Sequence, residues 1–122
     1  MRIGELARRA GVTPKALRYY EQVGLLGAER LPNGYRDYDE RDVRLVREVR
    51  ALGSLGIRAD QAKPFVECLI SGHEQGDDCA APLEVYRVAL GELEGRIAEL
   101  ERRRDSVALL LRDAEHREQV RA

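Results

Sequence analysis

The chain has 122 residues, 43% apolar and 35% charged, with a formal net charge of −1. That length holds one compact domain, or a small domain with an extended element, and the charge fraction is typical of long solvated helices. No apolar run reaches membrane-spanning length, and the N-terminal MRIGELARR lacks the apolar centre of a signal peptide; a cytoplasmic protein without membrane contact is expected.

The charge is unevenly spread. Residues 1–58 carry 12 Lys/Arg against 8 Asp/Glu, a balance of +4, and residues 59–122 carry 9 against 14, a balance of −5. A basic front half ahead of an acidic rear half suits a nucleic-acid-binding head on a stalk that does not bind.

In chain order, IGELARRAGV sets Ile3, Leu6, Ala7 and Ala10 on one helical face, and Gly11 stops that helix. Thr13 is a good N-cap for the next helix and Pro14 suits its first position, where no amide donor is needed. Helix, tight glycine turn, helix is a helix-turn-helix pattern. In the second helix Ala16, Leu17 and Tyr20 face inward, and Lys15, Arg18 and Tyr19 face out. Gly24 ends it. Asn33-Gly34 is a strong hairpin signal, since both residues accept positive φ, and the flanking strands make a wing that shows Arg30, Tyr35, Arg36 and Tyr38.

Asp39 caps a third helix over roughly 40–53, with Val43, Val46, Val49 and Leu52 on its buried face. GSLGI is a glycine-bracketed loop. Pro64 requires the fourth helix to be kinked or to start late, because inside a helix it costs about 3 kcal/mol. SGHEQGDD reads as a polar linker. From there Leu83, Tyr86, Leu90, Leu93, Ile97, Leu100, Arg104, Val107 and Leu111 recur at alternating steps of three and four. That is a heptad seam with one charged intruder, Arg104. Gly91 and Gly95 fall off the seam, and Glu92–Arg96 and Glu99–Arg103 add pairs in the favourable order. The seam, about 42 Å long at about 1.5 Å per residue, exceeds what the small head covers and calls for a partner helix.

Exposed Lys15 and Arg18 on the second helix of a helix-turn-helix suit the major groove, where they reach phosphates or guanine edges. Tyrosine hydroxyls such as that of Tyr19 donate to phosphates and fix register. The wing repeats the Arg-plus-Tyr combination. IGELARRAGVTPKALRYYEQVGLL followed by NGYRDYDERDVRLVREVRALGSLGI resembles the MerR family of bacterial transcription regulators over residues 2–57. The resemblance implies a mainly α fold: a winged helix-turn-helix head, then a long dimerisation helix forming an antiparallel coiled coil. It implies a homodimer on an inverted repeat of double-stranded promoter DNA, bending and untwisting an overlong spacer for RNA polymerase, a deformation of several kcal/mol. The positions it marks for DNA are Thr13, Lys15, Arg18 and Tyr19, the first-wing residues Tyr35, Arg36 and Tyr38, and Arg58 in a second wing near Gly56. The expected organisation is a head over 1–70, a linker over 71–81, a coil over 82–114 and a tail over 115–122. No separate drug-binding or cobalamin-type domain is expected after the coil. Pro64 departs from the unbroken fourth helix usual in the family.

Two cysteines are too few for a disulfide framework, and in the cytosol they are expected mostly reduced. Cys79 resembles the position where metal-sensing relatives place a ligand. An antiparallel coil would bring it near His116 of a partner, making Cys79 and His116 candidate ligands for a zinc-like ion. Cys68, His73 and Cys79 also share one stretch, spaced C-x4-H-x5-C, which is not a standard structural site. Alternatively Cys79, near a helix N-terminus, is a thiol that reacts with oxidants or electrophiles, though Asp77 and Asp78 oppose its ionisation. Cys68 and Cys79 as a regulatory disulfide, and Cys68 as a plain core residue beside an incidental surface thiol, stay open.

No nucleophile–base pair, phosphate loop or carboxylate pair has motif spacing, so an enzyme is not expected. His73 and His116 read as solvent-exposed. The competing reading is an effector-independent architectural DNA-binding protein, since the winged fold also serves phage excisionases and nucleoid proteins. The long coil argues against it.

Overall fold

The computed structural model describes residues 1–27 and 29–121, with the side chains of residues 29 and 30 outside that description. The elements in order are α1 (Ile3–Ala10), α2 (Pro14–Gln22), β1 (Glu29–Arg30), β2 (Arg36–Asp37), α3 (Glu40–Ser54), a 3₁₀ turn (Ala59–Gln61), α4 (Lys63–Ile70) and α5 (Ala80–Arg121). They divide into two compact units, Met1–Tyr86 and Arg87–Ala122.

In the first unit, local signals set the helix ends. Gly11 closes α1 at φ 73°. Its amide donates to the Arg8 carbonyl and that of Val12 to the Ala7 carbonyl, which satisfies carbonyls the helix leaves open. A Cβ on Gly11 would lie 2.7 Å from the Arg50 guanidinium. Thr13 Oγ1 accepts from the Ala16 amide at 3.1 Å, and Pro14 opens α2. Asp39 caps α3 as expected and forms a full capping box with Asp42.

The core gathers around Leu6, Ala7, Ala10, Leu17, Leu26, Tyr38, Val43 and Val46. Burying a leucine such as Leu6 or Leu17 fully contributes about 1.5–3 kcal/mol. Val49 and Leu52, further along α3, are buried as their spacing predicts, as are Ile57, Ala62, Phe65, Val66 and Cys68. Arg9 and Glu40 pair side chain to side chain between α1 and α3. Pro64 is the second residue of α4, where its missing amide hydrogen costs nothing; the helix starts late and is not kinked.

The hairpin differs from expectation. Asn33 does not adopt positive φ; Gly34 does, at 85°. Glu29 pairs with Asp37 and Arg30 with Arg36. The Gly34 amide donates to the Leu31 carbonyl at 2.9 Å, and the Leu31 amide to the Tyr35 carbonyl at 2.7 Å. Pro32, with φ preset near −65°, takes the second position of that turn. A three-residue loop with glycine in the left-handed region results. Asn33 serves through its side chain, whose Oδ1 accepts from the Tyr35 amide at 3.1 Å. The N-terminus closes the wing from the other side: the Met1 ammonium pairs with Asp37 at 3.0 Å, and the Tyr38 amide donates to the Met1 carbonyl at 2.8 Å.

α5 is one continuous 42-residue helix, so residues 115–121, expected as a tail, are helical. In the second unit Leu90, Leu93, Ile97, Leu100, Val107 and Leu111 are each 44% to 62% exposed. Glu99 holds Arg103 at 3.3 Å. Among the described residues no helix is long and apolar enough to cross a membrane.

Candidate functional site

Helix α2 divides its residues as its sequence dictates. Leu17 is fully buried and Tyr20 packs partly against the core, its hydroxyl pKa raised by burial. Lys15, Arg18 and Tyr19 point to solvent, as does Thr13 beside them. Two cations and a tyrosine therefore share one open face.

The wing stands next to that face. Arg2, Arg18, Glu21, Gln22, Tyr35 and Arg36 line one open cleft. Tyr35 is exposed, and the Arg2 guanidinium sits 4.3 Å from its ring centroid, a cation–π contact. Arg36 pairs with Glu21; its pKa is raised, first by hydrogen bonding to Tyr38, then by the charge of Glu21. The side chain of Arg30 lies outside the described residues. Arg58 is exposed at the head of the 3₁₀ turn, its Nε donating to Asp60 at 3.2 Å.

Tyr38 does not lie on the wing surface. It is 2% exposed, and its hydroxyl donates to Glu21. Burial, then the Glu21 hydrogen bond and charge, push its pKa up to about 12. An aromatic ring directly ahead of α3 is worth more in the core than in water, and the Glu21 carboxylate satisfies its polar end. Arg2 and Glu21 escaped the sequence reading. A lone arginine before the first apolar residue carries no pattern, and the acid serves partners 15 and 17 positions away.

Cys68 and Cys79, expected mostly reduced in the cytosol, form the disulfide that stood open as one alternative, with Cα atoms 6.0 Å apart. Cys68 is buried on α4, as the core reading expects. The intervening linker folds back: the Gln75 amide donates to Asp78 at 3.0 Å, and Arg44 donates to the Glu74 carbonyl at 3.1 Å. That brings the residue before α5 onto the end of α4. His73 joins them. The ligating atoms of Cys68, His73 and Cys79 all lie within 4.8 Å of one another, a grouping whose sulfurs are open to a metal ion only when the Cys68–Cys79 bond is broken.

Residues 1–67 match the family described as MerR HTH family regulatory protein. The chain belongs to the MerR family. It is a helix-turn-helix transcriptional regulator of that type. It is 36% identical to heavy metal-dependent transcription regulator 2 of Rhizobium meliloti (strain 1021), covering 95% of this chain and 73% of the relative. It is 35% identical to the transcriptional regulator HmrR of Rhizobium leguminosarum bv. viciae, covering 82% and 75%. Among solved structures it resembles HiNmlR, a MerR family regulator lacking the sensor domain and bound to promoter DNA, with a TM-score of 0.57, 26% identity and coverage of 86% and 78%.

Within this MerR head, Tyr86, expected in the dimer seam, packs on α4. It is half-buried, its ring edge-on to Phe65 with centroids 5.1 Å apart, and its hydroxyl donates to Asp77 at 2.9 Å. Burial, then Asp77, raise its pKa to about 12. The first turns of α5 thus pack within the first unit, and Pro82 is buried there too. Leu83 is 40% exposed. His116 is exposed on α5, in the second unit.

Proposed function

We propose that the chain acts as a homodimer on an inverted repeat of promoter DNA and controls transcription by distorting the spacer that RNA polymerase reads. The observation that carries the reading is the open face of α2, with Lys15, Arg18 and Tyr19 beside a wing cleft that holds Arg2, Tyr35 and Arg36. Thr13 reaches the backbone at the helix start, and helix N-termini favour phosphate. Arg58 adds a second phosphate contact from its loop. Tyr38 acts from within by holding the wing. Resemblance to a promoter-bound MerR regulator supports the mode.

The apolar stripe Leu83, Leu90, Leu93, Ile97, Leu100, Val107 and Leu111 supports an antiparallel coiled-coil dimer, because a seam of this length gains its stability from a partner helix. The protein works in the cytoplasm, beside its promoter, and has no catalytic role. Cys79 is the signal input, responding to a thiol-reactive or a metal signal. A heavy metal-dependent relative supports the metal arm; the Cys68–Cys79 bond supports the thiol arm, since cytosolic disulfides are typically transient and redox-sensing. The alternative to a metal site within one chain is one between two chains, in which an antiparallel coil would bring His116 of a second copy to Cys79.

Transcription in vitro tests the reading. A site selected from random duplexes is placed in promoters of ordinary and lengthened spacer. Activation confined to the lengthened spacer is expected. Equal transcription from both would leave an architectural role in its place.

A further inference from the structure

Three side chains on the connection into α5 converge without a second chain. Cys68 lies on α4, His73 in the linker and Cys79 immediately before α5, with all three ligating atoms within 4.8 Å. The imidazole is oriented. Its Nδ1 lies 3.2 Å from the Cys68 carbonyl and 3.1 Å from the Ser71 hydroxyl. A carbonyl only accepts, so Nδ1 carries the hydrogen and Nε2 keeps a free lone pair; the ring lies against Cys79 Sγ, 3.6 Å from Nδ1 and 3.9 Å from Nε2. A histidine that donates one ring nitrogen to a backbone carbonyl and offers the other outward has the tautomer and support of a metal ligand.

The remaining donors are soft. Asp78 is engaged by the Gln75 amide and Asp77 by the Tyr86 hydroxyl, so the set is two sulfurs and one nitrogen. Such a set selects a thiophilic d10 cation over a hard one. Yet the same two sulfurs form the disulfide. A sulfur committed to a disulfide has no thiolate to give, so the two states exclude each other.

We propose that Cys68, His73 and Cys79 of one chain form a redox-gated site for a thiophilic d10 cation, filled in the dithiol state and emptied when an oxidant closes the Cys68–Cys79 bond. The proposal rests on the reading of Cys79 as the signal input and names its ligands. The step balances with a peroxide as two-electron oxidant. The two metal-bound thiolates lose two electrons and join. The O–O bond breaks, taking those electrons and two protons to give two waters, and the divalent cation leaves. Metal and oxidant are then opposing inputs to one switch. The switch sits where the linker is tied down: Arg44 holds the Glu74 carbonyl, Tyr86 holds Asp77, and Gly76 lies so close to Glu48 that a Cβ would meet its carboxylate at 2.8 Å. The Glu48 carboxyl pKa is raised, chiefly by burial and then by Asp77.

Zinc titration of the reduced full-length protein against a chromogenic chelator tests this. The expected result is one zinc per chain, weakened more than about 100-fold in Cys68→Ala, His73→Ala and Cys79→Ser, and unchanged in His116→Ala. Circular dichroism and DNA affinity of each metal-free variant check that it is folded. One equivalent of hydrogen peroxide should consume two thiols and release one zinc. Zinc affinity that survives Cys68→Ala and His73→Ala, or that falls with His116→Ala as far as with Cys79→Ser, overturns the intrachain site. Disulfide formation that leaves zinc bound overturns the gate. If site and gate both hold while zinc and peroxide leave promoter transcription unchanged, the gated site stands and the signal reading of Cys79 fails.

Discussion

Tyr38 donates its hydroxyl to the carboxylate of Glu21, and Arg36 closes on that same carboxylate from β2. One acid on α2 therefore fixes both the buried and the exposed side of the wing. The cleft between wing and α2 has its shape because Glu21 holds its two walls together.

Tyr38→Phe should for this reason act through stability. Losing a hydrogen bond to an ionised acceptor costs about 1.5–3 kcal/mol, visible as a lower urea midpoint. DNA affinity should fall modestly without a change in its salt dependence, since no phosphate contact is lost. Arg18→Ala should instead make the log–log salt slope shallower by about 0.9 for each phosphate it meets. A shallower slope in Tyr38→Phe would return that tyrosine to the DNA surface.

Alkaline titration should separate the tyrosines. Tyr38 and Tyr86 are raised to about 12 and Tyr20 is raised as well, each first by burial. A folded pKa above the unfolded value of about 10 means that the folded state keeps the proton longer. The stabilisation is complete below about pH 10 and is lost as pH rises towards about 12. Tyrosinate absorbance should rise in at least two phases, the later one coinciding with loss of helicity. Simultaneous ionisation of all five tyrosines below the unfolding transition would contradict these burials.

Tyr86→Phe distinguishes anchor from seam. The Phe65 contact remains and the Asp77 hydrogen bond is lost, at a cost near 1 kcal/mol for a half-buried pair. The dimer dissociation constant from sedimentation should not move. Ile97→Asp, by contrast, sets a charge in the stripe and should give monomers with the head still folded. Monomers from Tyr86→Phe would place that residue in the seam after all.

Much of the head was legible because its signals are local. Thr13 before Pro14, Asp39 three residues ahead of Asp42, and the valine spacing of α3 act within one or two turns of chain. The wing was legible in place but not in geometry: Pro32 selects a turn in which Asn33 has negative φ, although Asn-Gly favours the mirror form. Tyr38 was misjudged, and the packing of Tyr86 on the head went unread, for a shared reason. A tyrosine suits surface, seam or core equally in sequence, and Glu21, Asp77 and Phe65, which decide between them, are chosen by tertiary packing. The C-x4-H-x5-C spacing located the cysteine cluster. Whether the two cysteines meet depends on how the linker folds back, and Arg44 and Asp78 supply that.

Gly11→Ala should destabilise the head. The left-handed conformation costs an L-residue about 1–2 kcal/mol, and the new methyl meets the Arg50 guanidinium. Gly34→Ala carries the backbone cost alone, because open space surrounds that position. The urea midpoint of Gly11→Ala should be the lower of the two; equal midpoints would mean that Arg50 yields freely.

Site selection from a random duplex pool, with wild type and Arg18→Ala run in parallel, tests the central claim that the open face of α2 and the wing read DNA as a symmetric pair. Wild type should enrich an inverted repeat, bound by a dimer, and Arg18→Ala should fail to enrich it. No enriched sequence, a sequence without two-fold symmetry, or undiminished enrichment by Arg18→Ala would contradict the account.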